Sequence, residues 1–494
     1  MKALFCLFLS LFLSAAVFAD FRPSDLLVWD GWTVSDGTRA HLYYLRYRGP
    51  GSVSPAGTED ILGHAVSEDL FRWTELSGCL APGEKGTADD MQPWTGCTVL
   101  KDGKYYLFYT MRSSLDGATK QKIGLALSED GQNFKRYPDN PVIVPDGRWY
   151  IDDYSVCRSI DCRDLTVVKY KDFYIGYFVT RKKGTGAVKT NCIGCAKSAD
   201  LVHWEQLPPV FSSERYSCTE CPDVFEQNGK WYLTMATANA YGSIAEFSDK
   251  NIIKGEIYAV SDSPFGPFRE PRKNVLLGDG GCFRTFVFRG QRYGIFCAAT
   301  ASRPFLVKAK GSDLWLEAPE ELRKTETIRP ETKSPARPLY PHPAWKFADG
   351  GFVNENGVFR GVSPSGYLAC QIFGVPAEEF AVSCRLKIKG AGGGLVIRPR
   401  PESDTSIEDT CIYIDKKNST LQISSMADMA HNVWNTRSIS VKDNMILTAV
   451  HYEDKFDVYL DGKLMLHATW GLLPGKEAGI GLMADRGRIE GEFL

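Results

Sequence analysis

Short apolar and aromatic runs, broken by turn residues, fill the chain, and two phrases recur among them. One is Gly63-His64-Ala65-Val66-Ser67-Glu68-Asp69 with Trp73. It returns at Gly124–Asp130 with Phe134, at Gly194–Asp200 with Trp204, and at Tyr258–Asp262 with Phe268, and Ala309–Trp315 is a degraded fifth copy. The serines Ser67, Ser128, Ser198 and Ser261 are spaced 61, 70 and 63 residues apart. The other phrase is a turn followed by an aromatic run. Examples are Asp102-Gly103 before Tyr105-Tyr106-Leu107-Phe108-Tyr109, Lys171-Asp172 before Phe173–Phe178, Asn228-Gly229 before Trp231-Tyr232-Leu233, Arg289-Gly290 before Tyr293–Phe296, and Asp36-Gly37 before His41–Tyr44. Asp-Gly and Asn-Gly ahead of such runs are hairpin signals. An antiparallel unit of roughly 60 residues repeated five times predicts an all-β, five-bladed β-propeller.

The repeat ends near Trp315. A stretch rich in Pro, Glu, Lys and Arg, from Glu317 to Pro343, reads as a crossing between domains. From Ala344 onward short strands and turns resume in a different phase, with Phe456–Leu460 and Asp461-Gly462 as the clearest hairpin. That pattern predicts a C-terminal β-sandwich, concanavalin-like in form. The expected organisation is therefore residues 20–322 propeller, 323–343 linker and 344–494 sandwich.

Composition refines this picture at two points. Met1-Lys2 followed by the apolar run Ala3–Ala19 reads as a cleaved signal peptide, so a secreted or periplasmic protein is expected. Of 14 cysteines one lies in that leader. The odd remainder requires at least one unpaired thiol, and export favours disulfides over zinc for Cys192-x-x-Cys195 and Cys218-x-x-Cys221. A net charge of −2 argues against a general nucleic-acid or anionic-membrane footprint. No phosphate, nucleotide or metal motif is evident, because Gly392-Gly393-Gly394 lacks the strand–helix setting of a phosphate loop. No cofactor is expected.

Three acidic segments stand just before turn-and-aromatic-run units, where the innermost strand of a blade belongs: Val28-Trp29-Asp30-Gly31-Trp32, Cys162-Arg163-Asp164-Leu165 and Thr219-Glu220-Cys221-Pro222. A propeller brings such strands to one axis, so single residues from several blades can form one pocket. Asp30, Asp164 and Glu220 are 134 and 56 residues apart. Taken singly, the Trp-Asp pair, the Arg-Asp pair and Cys221 each have an ordinary structural explanation. Their order and equivalent positions speak for a shared site.

This arrangement resembles glycoside hydrolase families 32 and 68, the invertase, fructanase and levansucrase group. Those families combine a five-bladed propeller with an N-terminal aspartate block, an Arg-Asp-Pro block and a Glu-Cys-Pro or Glu-Arg-Pro block. Glu220-Cys221-Pro222 matches the family 32 form, Val28–Trp32 is more like the family 68 form, and Pro93-Trp94-Thr95-Gly96-Cys97 resembles an aromatic-Ser-Gly-Ser segment. The resemblance implies a retaining glycosidase acting on fructosides or a related furanoside, with Asp30 as nucleophile, Glu220 as general acid/base and Asp164 as transition-state stabiliser. One ionised and one protonated carboxyl about 5–5.5 Å apart suit that chemistry. Arg163 would position a carboxylate or hold a hydroxyl, and Trp29, Trp32 and Trp94 would offer apolar faces to the sugar. Thr95 and Cys221 complete the expected pocket, with Cys221 as the free thiol. Repulsion among the acids is expected to raise one carboxyl pKa, that of Glu220. Leu165, Thr95 and Cys97 depart from the family pattern and leave other furanosides open. An inverting, family 43-like arabinan- or xylan-directed enzyme and a non-catalytic carbohydrate-binding propeller are the alternatives.

Overall fold

The computed structural model describes residues 20–153, 159–184, 191–213, 216, 218–237, 255–272, 274–278, 281–320, 337–338, 351–355, 358–375, 380–398, 409–427, 430–452, 455–469 and 478–494. The leader at 1–19 and nearly all of the linker lie outside these residues. Almost everything described is strand, and no described helix is long and apolar enough to cross a membrane.

Five antiparallel meanders follow one another. The first is Leu26–Ser35 (β1), Ala40–Arg48 (β2), Leu62–Ser67 (β3) and Thr74–Leu80 (β4). The second is Trp94–Lys101 (β5), Lys104–Met111 (β6), Lys122–Ser128 (β7) and Lys135–Arg136 (β8). Cys162–Tyr170 (β9), Phe173–Thr180 (β10), Cys192–Ser198 (β11) and Glu205–Ser212 (β12) make the third. Thr219–Gln227 (β13), Lys230–Thr237 (β14), Gly255–Ser261 (β15) and Val275–Gly278 (β16) make the fourth. Cys282–Phe288 (β17), Gln291–Ala301 (β18), Phe305–Lys310 (β19) and Asp313–Glu317 (β20) make the fifth. The first strands contact one another in the cyclic order β1, β5, β9, β13, β17 and back to β1, and β18 also pairs with β1 through Val28–Ala299.

The recurring phrases have a physical cause. Each Ser-x-Asp ends a third strand. Ser67 Oγ accepts the Leu70 N–H at 2.8 Å, while Asp69 Oδ1 accepts from Phe71 and Arg72 at 2.9 and 2.8 Å. Ser128 and Asp130 repeat this with Gly131, and Ser198 and Asp200 with Leu201. The third residue after each serine is left-handed, at φ 72° for Leu70, 74° for Gly131 and 75° for Leu201. The trailing tryptophan closes the turn from outside, Trp73 Nε1 donating to Leu70 O at 3.1 Å and Trp204 Nε1 to Leu201 O at 3.3 Å. The turn phrases sit between first and second strands, where Asp102-Gly103, Asn228-Gly229 and Arg289-Gly290 each place two consecutive residues at positive φ.

The C-terminal strands form antiparallel layers around a separate core that includes Val382, Leu386, Ile412, Leu447, Val458 and Leu482. The long strand Ala478–Phe493 serves both layers: its first half pairs with Gly392–Arg398 and its last residues with Phe380–Ile388. A charged seam joins this part to the fifth meander. Arg303 reaches Asp457 at 2.5 Å with both side chains buried, His467 Nδ1 lies 2.6 Å from Asp457, and Lys455 bonds Asp20 and Thr300. Burial opposes ionisation of Asp457, yet Arg303 and His467 together hold its pKa below the usual 3.8. Asp457→Ala strands a buried guanidinium, so a loss of about 3–5 kcal/mol in stability is expected from denaturant unfolding.

Candidate active site

Each of the first four innermost strands is irregular at one level. Pairing slips between Trp29 and Gly31 on β1, Trp94 and Cys97 on β5, Arg163 and Thr166 on β9, and Glu220 and Asp223 on β13. Three residues at these slips take left-handed backbone: Asp30 at φ 26°, Asp164 at φ 56° and Cys221 at φ 50°. Positive φ inside a strand is costly for a residue with a Cβ, and bulges re-aim side chains. Here they turn the chain at the same end of the ring. Asp30, Asp164 and Glu220 come close enough for each to repel the others electrostatically.

Arg163 ties two of the three together. Its guanidinium is 3.1 Å from Glu220 Oε1, 3.6 Å from Asp164 Oδ2 and 3.5 Å from Asp161 Oδ1. Asp164 also accepts the Cys221 N–H at 3.0 Å, while its own N–H goes to Thr110 Oγ1 at 3.1 Å. Thr95 Oγ1 donates to Asp30 Oδ2 at 3.0 Å, so Thr95 serves the carboxylate directly. Burial, then the charges of Asp164 and Glu220, push Asp30 up to about 7. Asp164 is raised too, by burial first and Glu220 next, against the pull of Arg163. Sequence reasoning expected the raised carboxyl at Glu220. The structure raises Asp30, which pairs with no cation among the described residues; the Glu220 side chain is 34% exposed and lies against Arg163.

A stability prediction follows from the Asp30 shift. A carboxyl whose folded pKa exceeds its unfolded value of 3.8 contributes stability that is complete below about pH 4 and is lost as pH rises through about 7. Asp30→Asn removes that loss. The variant should be more stable than the parent above pH 7, by about 1–3 kcal/mol, with the gap closing toward pH 4 in thermal melts.

Of the three tryptophans, Trp29 is 49% exposed beside Asp30 and packs edge-on against Tyr47. Trp94 is partly covered by Arg112, whose guanidinium lies 3.6 Å from the ring centre. Trp32 is corrected: it is only 3% exposed, stacks on Tyr43 and donates to Thr98 Oγ1 at 2.9 Å. It stands past the bulge, where it lines a cavity that contains none of the three acids. Two departures from the family pattern also fall outside the pocket. Leu165 is fully buried and Cys97 nearly so, both in the hydrophobic core between the second and third meanders.

The disulfide expectation fails for the described cysteines of the five meanders. Every described cysteine from Cys79 to Cys297 is a buried free thiol, Cys221 among them. Cys192 and Cys195 pack into different cores, Cys218 accepts from Asn191 at 3.2 Å, and Cys221 faces Asp30 and Cys282. The two Cys-x-x-Cys pairs therefore form neither a zinc tetrad nor bridges among the described residues.

Sequence reasoning missed Arg284 and Cys282 on β17. The Arg284 side chain donates to Pro222 O at 2.5 Å and reaches Asp164 O at 3.4 Å, bracing both bulges. Neither residue belongs to a motif, so nothing in the sequence marks them. Beyond Arg284 the second halves of all five innermost strands line a separate cavity of about 380 Å³, among them Thr98, Thr166, Asp223 and Thr285. This cavity is at the opposite end from the three acids and contains none of them.

Residues 36–265 match the glycosyl hydrolases family 32 N-terminal domain, a span that includes Asp164 and Glu220 and stops short of Asp30. The chain is 28% identical over 199 residues to an insoluble beta-fructofuranosidase isoenzyme of Arabidopsis thaliana, covering 37% of this chain and 32% of the relative. It is 30% identical over 229 residues to the levanbiose-producing levanase of Bacillus subtilis, covering 44% and 38%. These matches span about a third of each relative's length. Among solved structures, the family 32 beta-fructofuranosidase of Bombyx mori superposes with a TM-score of 0.66 at 16% identity, covering 97% of this chain and 93% of that one. An exo-inulinase of Aspergillus awamori gives 0.67 at 16% identity, with 96% and 97% covered. The likeness thus extends through the C-terminal layers in fold, and through the meanders in both fold and sequence. Residues 36–265, just under half of the chain, are thus similar to the glycosyl hydrolases family 32 N-terminal domain.

Proposed function

We propose that this protein is a retaining glycoside hydrolase that cleaves fructosides such as sucrose or fructans. The observation that carries the reading is the mutual approach of Asp30, Asp164 and Glu220 from three bulged strands, the last two held by Arg163. In this reading Asp30 attacks the anomeric carbon, and Glu220 gives its proton to the departing glycosidic oxygen. The glycosyl–Asp30 ester then yields to water, whose proton returns to Glu220 as the Asp30 carboxylate leaves. Asp164, held by Arg163 and the Cys221 N–H, grips sugar hydroxyls more tightly as positive charge develops on the ring. Trp29 offers an exposed apolar face at the rim.

The five meanders are read as five propeller blades over residues 20–322, followed by a linker at 323–343 and a concanavalin-like sandwich at 344–494. The apolar leader at 1–19 supports export. A product screen on sucrose, inulin, levan, arabinan and arabinoxylan tests the substrate class. Release of fructose or fructo-oligosaccharides is expected, and release of arabinose alone would move the enzyme to another furanoside.

A further inference from the structure

Beside the proposed nucleophile lie two sulfurs that the reaction does not use. Cys221 Sγ, Cys282 Sγ and a carboxylate oxygen of Asp30 all lie within 4.8 Å of one another, and both cysteines are almost fully buried. They come from β1, β13 and β17, so ring closure, not local sequence, brings them together. Two sulfurs and one oxygen at this spacing are a small closure away from tetrahedral ligation, in which sulfur donors sit about 2.3 Å and oxygens about 2.0–2.2 Å from a zinc-like ion. Thiolate donors select borderline-soft cations over Mg²⁺ or Ca²⁺.

We propose that Asp30, Cys221 and Cys282 form an inhibitory site for a borderline-soft divalent cation of the Zn²⁺ or Cd²⁺ class. Binding makes two metal–sulfur bonds and one metal–oxygen bond, releases two thiol protons to solvent and changes no oxidation state. With its carboxylate coordinated, Asp30 cannot attack, so metal and substrate exclude one another.

The test uses the full-length, reduced protein and Cd²⁺ as probe. Titration should give one tight equivalent with thiolate-to-cadmium absorption, and a ¹¹³Cd resonance in the range of two sulfur donors with oxygen. Cys282→Ser should weaken Cd²⁺ binding roughly 100-fold or more. Equal Cd²⁺ affinity in parent and Cys282→Ser would overturn the proposal. If Cys282→Ser does not fold, a parent ¹¹³Cd signal of all-oxygen or four-sulfur character would do the same. Absorption and resonance are read without substrate, so their failure leaves the glycosidase reading standing.

Discussion

Asp30→Asn should lower turnover of any fructoside substrate by about 10⁴-fold or more, with the fold and sugar affinity retained. The amide has nearly the shape of the carboxyl and keeps an acceptor for the Thr95 hydroxyl, 3.0 Å away in the parent, but it cannot form the glycosyl ester. Loss of a nucleophile that acts as part of a unit removes nearly all of the catalysis. The same change relieves a buried charge, so the inactive variant should be the more stable protein above pH 7. Loss of activity combined with gain of stability is hard to obtain by damaging the fold, and steady-state kinetics with thermal melts on one preparation read both.

Glu220→Gln should divide substrates by leaving group. Unactivated fructosides need the departing oxygen protonated and should slow by about 10²–10⁴-fold, whereas an activated aryl fructoside should lose far less. The pH profile carries a second signature. In the parent, kcat/KM should fall as pH drops through about 7, because protonated Asp30 cannot attack. Glu220 is among the charges that raise Asp30, so Glu220→Gln should move that acid limb to lower pH on the activated substrate. The limb belongs to the coupled acids as a set. An unmoved limb would mean that the two carboxyls do not share a site.

Much of the fold was legible because the same local problem is solved five times. A third strand must turn back, and Ser-x-Asp satisfies the backbone N–H groups of that turn in the first three meanders, with a capping tryptophan in the first and third, so the phrase is visible where the geometry is. The three acids were legible for a related reason: each precedes a hairpin turn by a similar distance, which fixes its height in the ring. What escaped reading depends on contacts between strands far apart in sequence. Trp32 looks like Trp29, yet the bulge at Asp30 separates them and sends one ring to solvent and the other into the core. Cys282 and Arg284 sit in an ordinary strand and gain their surroundings only when β17 closes against β13 and β1. The cysteines suggested bridges by their count, but the ring distributes them singly among packed strands. The raised proton affinity of Asp30 arises from burial and from the charges of Asp164 and Glu220, brought beside it from other strands.

The central claim is double displacement through Asp30. Its most direct measurement is NMR of the products formed in the first turnovers on a β-fructoside with methanol present as acceptor. The account predicts methyl β-fructofuranoside and β-fructofuranose, both with the configuration of the substrate. Formation of the α-anomers in those first turnovers would show a single displacement and contradict it.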